Sequence, residues 1–401
     1  MGFSHAYEGH HSVFGNAVKY GSAGVSPFLG QTFSMQVFLL AVDRFGKTFL
    51  MRFLMKRISV VATDACGWPN LTTLPSGRII CTYFNAPSHG LLEGDLICSV
   101  SDRKGGNWKK LSTVAPRPKG GNRMHLAVGL AHNGDVLCFS SGFFVKDDEF
   151  IGFSGHWLSR STDMGRTWRV DDQPKVHSDN LGTIPFGRVI RLPEGKLAYS
   201  SYRSRGKGNP SETWVSFSED DGRTWPRRSK LGRNDSNETT LLYAGDGRIL
   251  AGVRTHVDHH VKLCESSNEG RTWKEKGPLT LPMQHPADLI SLSDACLLLT
   301  YGIRNRGLMG IGARISLDAG RTWRPPWVIH QFGEKSSDVG YPSTVALDKR
   351  GNLLTAFYTD HEPSLRKRAS RYRVLAMRWS IRDWLSESLL GSISDGKRLN
   401  L

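Results

Sequence analysis

The chain repeats one octapeptide, which reads STDMGRTW at residues 161–168, SEDDGRTW at 218–225, SSNEGRTW at 266–273 and SLDAGRTW at 316–323. A degenerate fifth copy, SDRKGGNW, occupies residues 101–108. We call these five segments the boxes. Their first residues, 101, 161, 218, 266 and 316, are 60, 57, 48 and 50 residues apart. A period of this size indicates one supersecondary unit repeated along the chain, because a single unit cannot bury its apolar face alone.

A second repeat lies between the boxes and has the plan of a hairpin: an apolar strand, a tight turn and another apolar strand. Six segments follow it, namely PNLTTLPSGRIICTYF, LAVGLAHNGDVLCFSS, FGRVIRLPEGKLAYSS, TTLLYAGDGRILAGVR, ADLISLSDACLLLTYG and PSTVALDKRGNLLTAFY. Five of the turns carry a glycine that can supply the positive φ of a tight turn: Gly77, Gly134, Gly195, Gly247 and Gly351. Ala295 stands in the remaining turn, so we expect a looser turn there.

A unit of about 50 residues with the order strand, strand, strand, box, strand is typical of one β-propeller blade. Six hairpins, five of them followed by a box, predict an all-β fold, a six-bladed β-propeller with Asp-box repeats over residues 58–385. An open β-sandwich would not explain the regular period. The box Ser and Asp are expected to bond nearby backbone NH groups, and the Trp to pack between blades. The boxes are therefore interpreted as fold elements and not as catalytic motifs.

The chain is basic, since 53 Lys and Arg against 37 Asp and Glu give a net charge of +16. The basic residues are scattered, so we expect an anionic small molecule or acidic glycan as the partner, and no nucleic acid. No His, Cys or Asp cluster has metal-ligand spacing, and HVDHH at 256–260 is interpreted as an exposed loop. The sequence has no phosphate-binding or dinucleotide fingerprint. We therefore expect neither a metal nor a cofactor.

The six cysteines, Cys66, Cys81, Cys98, Cys138, Cys264 and Cys296, show no C-x-x-C spacing. Four of them, all but Cys66 and Cys264, lie within apolar strand runs. We expect buried, reduced thiols, which favour a cytoplasmic location.

Residues 1–57 show no blade pattern. They contain the apolar run SMQVFLLAVDRFGKTFLMRFLM, which four charged residues interrupt, so a membrane span is not expected. No signal-peptide cleavage site follows cleanly. We expect a disordered extension or a start assigned too early, with Met51 or Met55 as the true start; an uncleaved membrane anchor is the alternative. Residues 386–401 are expected to form a C-terminal tail.

Polar residues at the ends of apolar strands are candidates for a functional site, because the loops at one mouth of a propeller gather residues from every blade. Glu238 begins one hairpin and Arg254 ends it. Arg304 ends the next hairpin, and Tyr341 begins the last one. We expect the four side chains to converge at one mouth. Taken singly, each also fits a solvated strand end or a packing residue.

These four residue types suit one chemistry. Two adjacent guanidinium groups hold a carboxylate in bidentate fashion. A sugar that carries a carboxylate at its reacting carbon would repel an anionic nucleophile, whereas the neutral hydroxyl of Tyr341 avoids that repulsion. The hydroxyl needs a neighbouring base, which Glu238 can supply. Tyrosine is the recognised exception to the two-carboxylate rule of glycosidases.

With these motifs the chain resembles the sialidase (neuraminidase) superfamily, in particular bacterial exo-α-sialidase-like proteins with BNR repeats, over residues 58–385. The resemblance implies an arginine triad, a Tyr/Glu nucleophilic pair and an Asp acid/base. Glu238, Arg254, Arg304 and Tyr341 match the last four family positions in order.

The first half of the chain departs from the family pattern. WPNLTTLPSG at 68–77 is similar to the strand that carries the first family arginine, but Gly67 stands in the arginine place. Arg123, at the start of the second hairpin, is a candidate to replace it from a neighbouring blade; the alternative is a surface strand end.

The loop NAPSHGLLEGD at 85–95 leaves the first hairpin where the family has its acid/base. The resemblance favours Asp95 for this role, with Glu93 and His89 as alternatives. His285, in QHPADL, begins a hairpin and is a further candidate to face the central channel.

Three functions follow. The preferred one is a retaining exo-α-sialidase that removes a terminal sialic acid from glycoconjugates. The second keeps the arginines but acts on another acidic glycan, as a uronic acid hydrolase or lyase. The third is a glycan-binding propeller without catalytic activity, because a propeller fold alone does not define a function.

Overall fold

The computed structural model describes residues 39–42, 48–51, 57–87, 91–102, 104–147, 149–203, 211–232, 235–332, 338–360 and 372–382. The chain divides into two compact units, Met1–Phe53 and Leu54–Leu401. In the first unit, two short strands pair antiparallel, Leu39 opposite Met51. The expected extension at residues 1–57 and the expected tail at 386–401 otherwise lie largely outside the described residues. None of the described residues forms a helix with the length and apolarity that crossing a bilayer requires.

The described structure is built from strands, with a single-turn 3-10 helix at Ser178–Asn180. In chain order the strands are β1 (Leu39–Val42), β2 (Thr48–Met51), β3 (Arg57–Thr63), β4 (Asn70–Thr73), β5 (Ile79–Phe84), β6 (Leu96–Ser101), β7 (Trp108–Ala115), β8 (His125–Leu130), β9 (Val136–Ser141), β10 (Phe143–Lys146), β11 (Glu149–Phe153), β12 (Trp157–Ser161), β13 (Arg169–Asp171), β14 (Ile184–Arg191), β15 (Leu197–Arg203), β16 (Glu212–Ser218), β17 (Arg227–Leu231), β18 (Ser236–Tyr243), β19 (Ile249–Thr255), β20 (Val261–Ser266), β21 (Lys274–Pro278), β22 (Gln284–Ser291), β23 (Leu297–Ile303), β24 (Gly310–Ser316), β25 (Trp327–Gln331), β26 (Gly340–Ala346), β27 (Asn352–Thr359) and β28 (Arg373–Ser380). The all-β prediction is confirmed.

The strands of the second unit form antiparallel groups of four. Group one is β4–β7, group two is β8, β9, β12 and β13, group three is β14–β17, group four is β18–β21, group five is β22–β25, and group six is β26–β28 with β3. Groups two and three share one eight-stranded sheet, because β8 and β14 pair in parallel at Gly187↔Ala127 and Arg188↔Val128. The hairpin β10–β11 is inserted between β9 and β12.

The first strands of the groups contact one another in sequence. Contacts join β4 to β8, β8 to β14, β14 to β18, β18 to β22, β22 to β26 and β26 back to β4. These strands are largely buried, and polar groups among them pair across groups: the backbone NH of Leu71 in β4 donates to Ser343 Oγ in β26 at 2.9 Å. The end of each first strand is therefore placed near the equivalent ends of its neighbours.

The boxes tie each turn to the adjacent group. In the box at 161–168, Ser161 Oγ accepts from the backbone NH of Gly165 at 2.8 Å, and Asp163 accepts from the backbone NH of Thr167 at 2.9 Å. These and further hydrogen bonds outweigh the effect of desolvation and lower the pKa of Asp163 to about 2. Trp168 Nε1 donates to Ser112 Oγ, 3.0 Å away in β7 of group one. The boxes are thus structural, as predicted.

The turns also match the sequence pattern. All five predicted glycines have positive φ, for example 79° at Gly77 and 92° at Gly134. The remaining turn, around Ala295, is closed by backbone hydrogen bonds between Ser293 and Cys296. The six cysteines are free, and five are buried, Cys296 being half-buried.

A buried histidine in group two makes stability depend on pH. His156 is 1% exposed, and its ring nitrogens lie 3.3 Å from Thr183 O and 3.2 Å from Tyr199 Oη. Burial lowers the pKa of His156 from 6.5 to about 4. The unfolded chain therefore binds a proton between these two values that the folded chain does not, so the free energy of unfolding falls as the pH drops below about 6.5.

We expect His156 to reduce the free energy of unfolding by about 2 kcal/mol between pH 7 and pH 4.5. Urea unfolding at both pH values, compared between the wild type and His156→Gln, measures this contribution. The variant should lose less stability over the same interval. An equal loss in both proteins would show that His156 does not cause the pH dependence.

Candidate active site

Irregularities at the starts of two first strands orient two of the candidate side chains. The β18–β19 register shifts between Ser236 and Thr239, and the β26–β27 register shifts between Gly340 and Ser343. Glu238 and Tyr341 lie within these shifts. A β-bulge turns a side chain away from the direction that regular alternation would give it. Tyr341 also has a φ of 51°, a left-handed conformation that is strained for a bulky residue.

The two shifts bring the tyrosine and the glutamate together. Tyr341 Oη donates a hydrogen bond to Glu238 Oε1 at 2.6 Å, although the residues are 103 positions apart. Arg254 Nη1 donates to the other carboxylate oxygen, Glu238 Oε2. Tyr341 is 5% exposed and Glu238 6% exposed. The carboxylate is therefore shared between a hydroxyl that it can deprotonate and a guanidinium that balances its charge.

The electrostatics of the trio follow from burial and from these contacts. Burial raises the pKa of Tyr341, and the charge of Glu238 raises it further, whereas Arg254 and Arg304 oppose the increase. Burial disfavours the charge on Arg254, but Glu238 outweighs this effect, so the pKa of Arg254 is raised. Tyr341 is thus neutral at rest and needs a base at the moment of any reaction.

The second predicted arginine, Arg304, lies over the ring of Tyr341. The guanidinium carbon of Arg304 is 5.3 Å from the ring centroid of Tyr341. Arg304 Nε donates to Val339 O at 3.2 Å, and Nη2 lies 4.0 Å from Asp338 Oδ1. The four residues selected at strand ends therefore converge in the folded chain. Their catalytic roles remain predictions.

Comparison with known proteins gives the family. The family model described as a BNR repeat-like domain matches residues 77–353, more than half of the chain. The chain belongs to this family. No match to a curated protein sequence was found.

Solved structures similar to this BNR repeat-like chain include sialidases. A protein of unknown function from Dyadobacter fermentans DSM 18053 is 21% identical, with a TM-score of 0.69, over 81% of this chain and 99% of that one. The Hadza microbial sialidase Hz136 is 19% identical, with a TM-score of 0.64, over 80% of this chain and 66% of that one. Trypanosoma rangeli sialidase is 14% identical, with a TM-score of 0.61, over 89% of this chain and 60% of that one. The predicted resemblance to proteins with BNR repeats is confirmed by the family model, and the likenesses to sialidases, all under 25% identical, show a shared fold.

The residues predicted for the acid/base position do not join the Tyr341 cluster in the contacts described. Arg117 binds both carboxylates, lying 3.0 Å from Glu93 and 3.2 Å from Asp95. The backbone NH of Arg117 also donates to Asp95 Oδ1 at 2.8 Å. These interactions raise the pKa of Arg117; the largest effect comes from Glu93 and the next from Asp95. A general acid must present a proton to the substrate, and an arginine ion pair opposes that role. His89 lies outside the described residues.

Arg123 lies in the environment of a structural residue. This differs from the open position expected of an arginine that replaces the first family arginine. Arg123 is fully buried. The guanidinium donates to Ser140 O at 2.5 Å and to Ser154 O at 2.7 Å, and it stacks over the Trp157 ring at 3.9 Å. The idea that Arg123 acts as a third carboxylate-binding arginine is corrected by these contacts, because its donors serve carbonyl oxygens within group two.

The place of the first family arginine is sterically closed. A Cβ added to Gly67 would lie 2.7 Å from Phe84 Cβ, closer than real Cβ atoms approach other atoms. Trp68 follows, and its ring meets the Tyr341 ring edge-on with the centroids 5.7 Å apart. This BNR repeat-like chain therefore presents an aromatic ring beside Tyr341.

Other residues near Tyr341 were not selected from the sequence. Tyr358 lies against Tyr341 with ring centroids 5.6 Å apart, and its hydroxyl donates to Asp338 at 2.6 Å. Burial raises the pKa of Tyr202, with Glu238 and Tyr341 as further causes. These residues lie in strands or loops with no motif of their own. Only their position at equivalent strand ends could have indicated them.

Proposed function

We propose that the six strand groups are the blades of a β-propeller and that Tyr341 acts at one mouth of its central channel. The circular sequence of contacts between first strands supports this arrangement. Group six also supports it, because it combines β3 with β26–β28 and so joins the two ends of the second unit. Equivalent strand ends then face a common mouth, where Glu238, Arg254, Arg304 and Tyr341 meet.

The function that this site supports best is an exo-α-sialidase-type glycoside hydrolase that acts on a terminal acidic sugar. The hydrogen bond of 2.6 Å from Tyr341 Oη to Glu238 Oε1 carries the proposal. It is the contact that a tyrosine nucleophile needs, because a neutral phenol must lose its proton as it attacks. No comparable pairing is required of a residue that only packs between blades.

In the proposed reaction the sugar carboxylate lies on Arg254 and Arg304. Tyr341 Oη attacks the anomeric carbon and passes its proton to Glu238, while the bond from that carbon to the leaving oxygen breaks. The positive charge of Arg254 beside Glu238 balances the carboxylate before the proton arrives. Water later cleaves the tyrosyl-sugar bond, which regenerates Tyr341 and retains the anomeric configuration.

The leaving oxygen of an alkyl glycoside needs a proton, which the sequence assigned to Asp95. Since Arg117 holds Asp95, a substrate with an acidic phenol as leaving group is the better first test. The hollow beside Tyr341, lined by Trp68 and Phe186, has a volume of about 20 Å³ and admits no sugar ring. We therefore propose that the sugar lies over the two guanidinium groups and not inside this hollow.

The closed site at Gly67 favours a second candidate. With two guanidinium groups instead of three, the site would hold a carboxylate less tightly and would accept the uronic acids of other acidic glycans. A hydrolase or lyase for such glycans keeps the same anion-binding pair. A glycan-binding protein without activity is the outcome if ligands bind but no bond is broken.

The test is turnover of 4-methylumbelliferyl α-sialoside together with covalent trapping. A structure of Trypanosoma rangeli sialidase contains 2,3-difluorosialic acid as a covalent intermediate. We expect fluorophore release by this chain, and a mass increase of one sugar on the Tyr341 peptide after incubation with 2,3-difluorosialic acid. Release without a Tyr341 adduct would contradict the proposed nucleophile. Well-folded protein with neither signal would contradict the sialidase proposal.

A further inference from the structure

Five buried side-chain nitrogens near the arginine pair have no hydrogen-bond partner within the described part of the chain. They are Arg254 Nε, Arg304 Nη2, His256 Nε2, His259 Nδ1 and His285 Nδ1. Buried polar groups in proteins are almost always paired, so each exception requires an explanation. Five such nitrogens on side chains around the arginine pair indicate that a group with acceptor oxygens completes the site.

The five nitrogens belong to side chains that are close together. The His259 and His285 rings have centroids 5.4 Å apart at an interplanar angle of 40°. After burial, the charge of Arg254 contributes to lowering the pKa of all three histidines, and Arg304 acts on His259 and His285. His285, at the start of β22, therefore lies near both arginines.

The HVDHH segment was expected to be an exposed loop, but its histidines are not fully exposed. Val257 is 86% exposed, whereas His256, His259 and His260 are half-buried. His260 is tied to Asp258 through Nδ1, and it lies apart from the unpaired set. His285, on the neighbouring strand, is 2% exposed. Two of the three imidazoles in the segment, those of His256 and His259, thus have an unpaired nitrogen and are influenced by the charge of Arg254.

The chemistry of this set fits an oxygen-rich anion and not a metal. Two guanidinium groups repel a cation, and among the described residues no group of three or more His, Cys, Asp or Glu is placed to hold a metal ion. A neutral imidazole offers one donor nitrogen and one acceptor nitrogen. It can therefore bind a carboxylate or a hydroxyl beside a guanidinium without adding charge.

We propose that His259 and His285 complete the sugar-acid site of Arg254 and Arg304, in place of the third guanidinium that Gly67 excludes. This inference rests on the proposed function and names its ligand class: a sugar acid whose carboxylate lies on the two arginines, with adjacent oxygen atoms on the two imidazoles. The site then discriminates between sugar acids by hydrogen-bond geometry as well as by charge, because neutral imidazoles bind only oxygens that are correctly placed for a hydrogen bond.

The test is calorimetric binding of DANA, the inhibitor bound to Trypanosoma rangeli sialidase, and of D-glucuronate. We expect His285→Leu and His259→Leu each to weaken binding of the preferred ligand by about tenfold or more, since each removes a hydrogen bond next to a charged group. The control is His132→Leu, which should leave the affinity unchanged. His132 lies in a hairpin turn of group two, and its ring contacts Lys196 O at 3.1 Å.

Thermal unfolding identifies variants that fail to fold. If the buried His285 cannot be replaced without unfolding, the variant of the half-buried His259 tests the same inference. Equal affinity in the wild type and a folded histidine variant would overturn the inference while leaving the sugar-acid site intact. A wild type that binds neither ligand would overturn both the inference and the proposed function. Weaker binding in the histidine variants, with unchanged binding in the control, supports the inference.

Discussion

Replacing Tyr341 with Phe is expected to lower kcat on 4-methylumbelliferyl α-sialoside roughly 10³-fold or more, because it removes the attacking oxygen and leaves the rest of the site in place. The lost hydroxyl donates to Glu238 at 2.6 Å, and the aromatic ring keeps its contacts with Trp68 and Tyr358. Affinity for a sugar acid should change little, because Arg254 and Arg304 hold the carboxylate. Steady-state rates and DANA affinity, measured on the same preparations, separate the two effects.

The matched control is Tyr83→Phe. Tyr83 is buried like Tyr341, but its hydroxyl pairs with Ser99 at 3.0 Å in group one. This variant should retain the wild-type rate. If Tyr341→Phe retained most of the activity, the nucleophile would have to be another group. If both variants lost activity equally, the loss would reflect a folding defect and not the chemistry of Tyr341.

Replacing Arg188 with Met is expected to reduce the free energy of unfolding by about 3–5 kcal/mol, since it leaves the buried carboxylate of Asp288 without its partner. Arg188 binds Asp288 in bidentate fashion, at 2.7 Å and 2.6 Å, and the side chains are 15% and 6% exposed. It also donates to Leu71 O at 3.2 Å and to Thr344 O at 2.6 Å. One guanidinium thus links first strands of groups one, three, five and six.

Chemical unfolding of single and double variants checks this prediction. In the double variant Arg188→Met with Asp288→Asn, the isolated charge is gone and the amide oxygen can still accept from Thr344 NH, so part of the stability should return. Lys276→Met serves as the control, because its ion pair with Glu265 is 40% exposed at the lysine and should contribute no more than about 1 kcal/mol. A loss for Arg188→Met as small as for the control would show that the pair does not hold the strands together.

The sequence predicted the parts of the fold that depend on local rules. Box and turn residues form their hydrogen bonds within about four positions, as Asp163 does with Thr167, so a repeated motif is enough to locate them. The candidate site could be predicted from the sequence for a related reason. Glu238, Arg254, Arg304 and Tyr341 occupy equivalent strand ends, and repetition in the sequence becomes proximity in the folded chain.

The contacts that the sequence did not predict are those that no repeat specifies. Arg117 binds Asp95 across 22 positions, and Arg123 is enclosed by carbonyls of its own group. The register shifts at the starts of β18 and β26 depend on backbone pairing and leave no pattern of side chains. The resemblance to a family could suggest which residue types to look for in the first half of the chain. It could not show that Phe84 occupies the space beside Gly67.

The strand β3 gives group six an unusual history during biosynthesis. The Ser59 hydroxyl bonds the carbonyl of Ala376, 317 residues further along, so β3 leaves the ribosome long before its partner β28 exists. Entropy alone penalises such a long loop only slightly more than a short one, but assembly that relies on distant pairing is slow. Until β28 is translated, β3 has no partner in group six, and its unpaired edges can template aggregation. A nascent chain of this protein therefore has a prolonged period in which chaperone protection matters most.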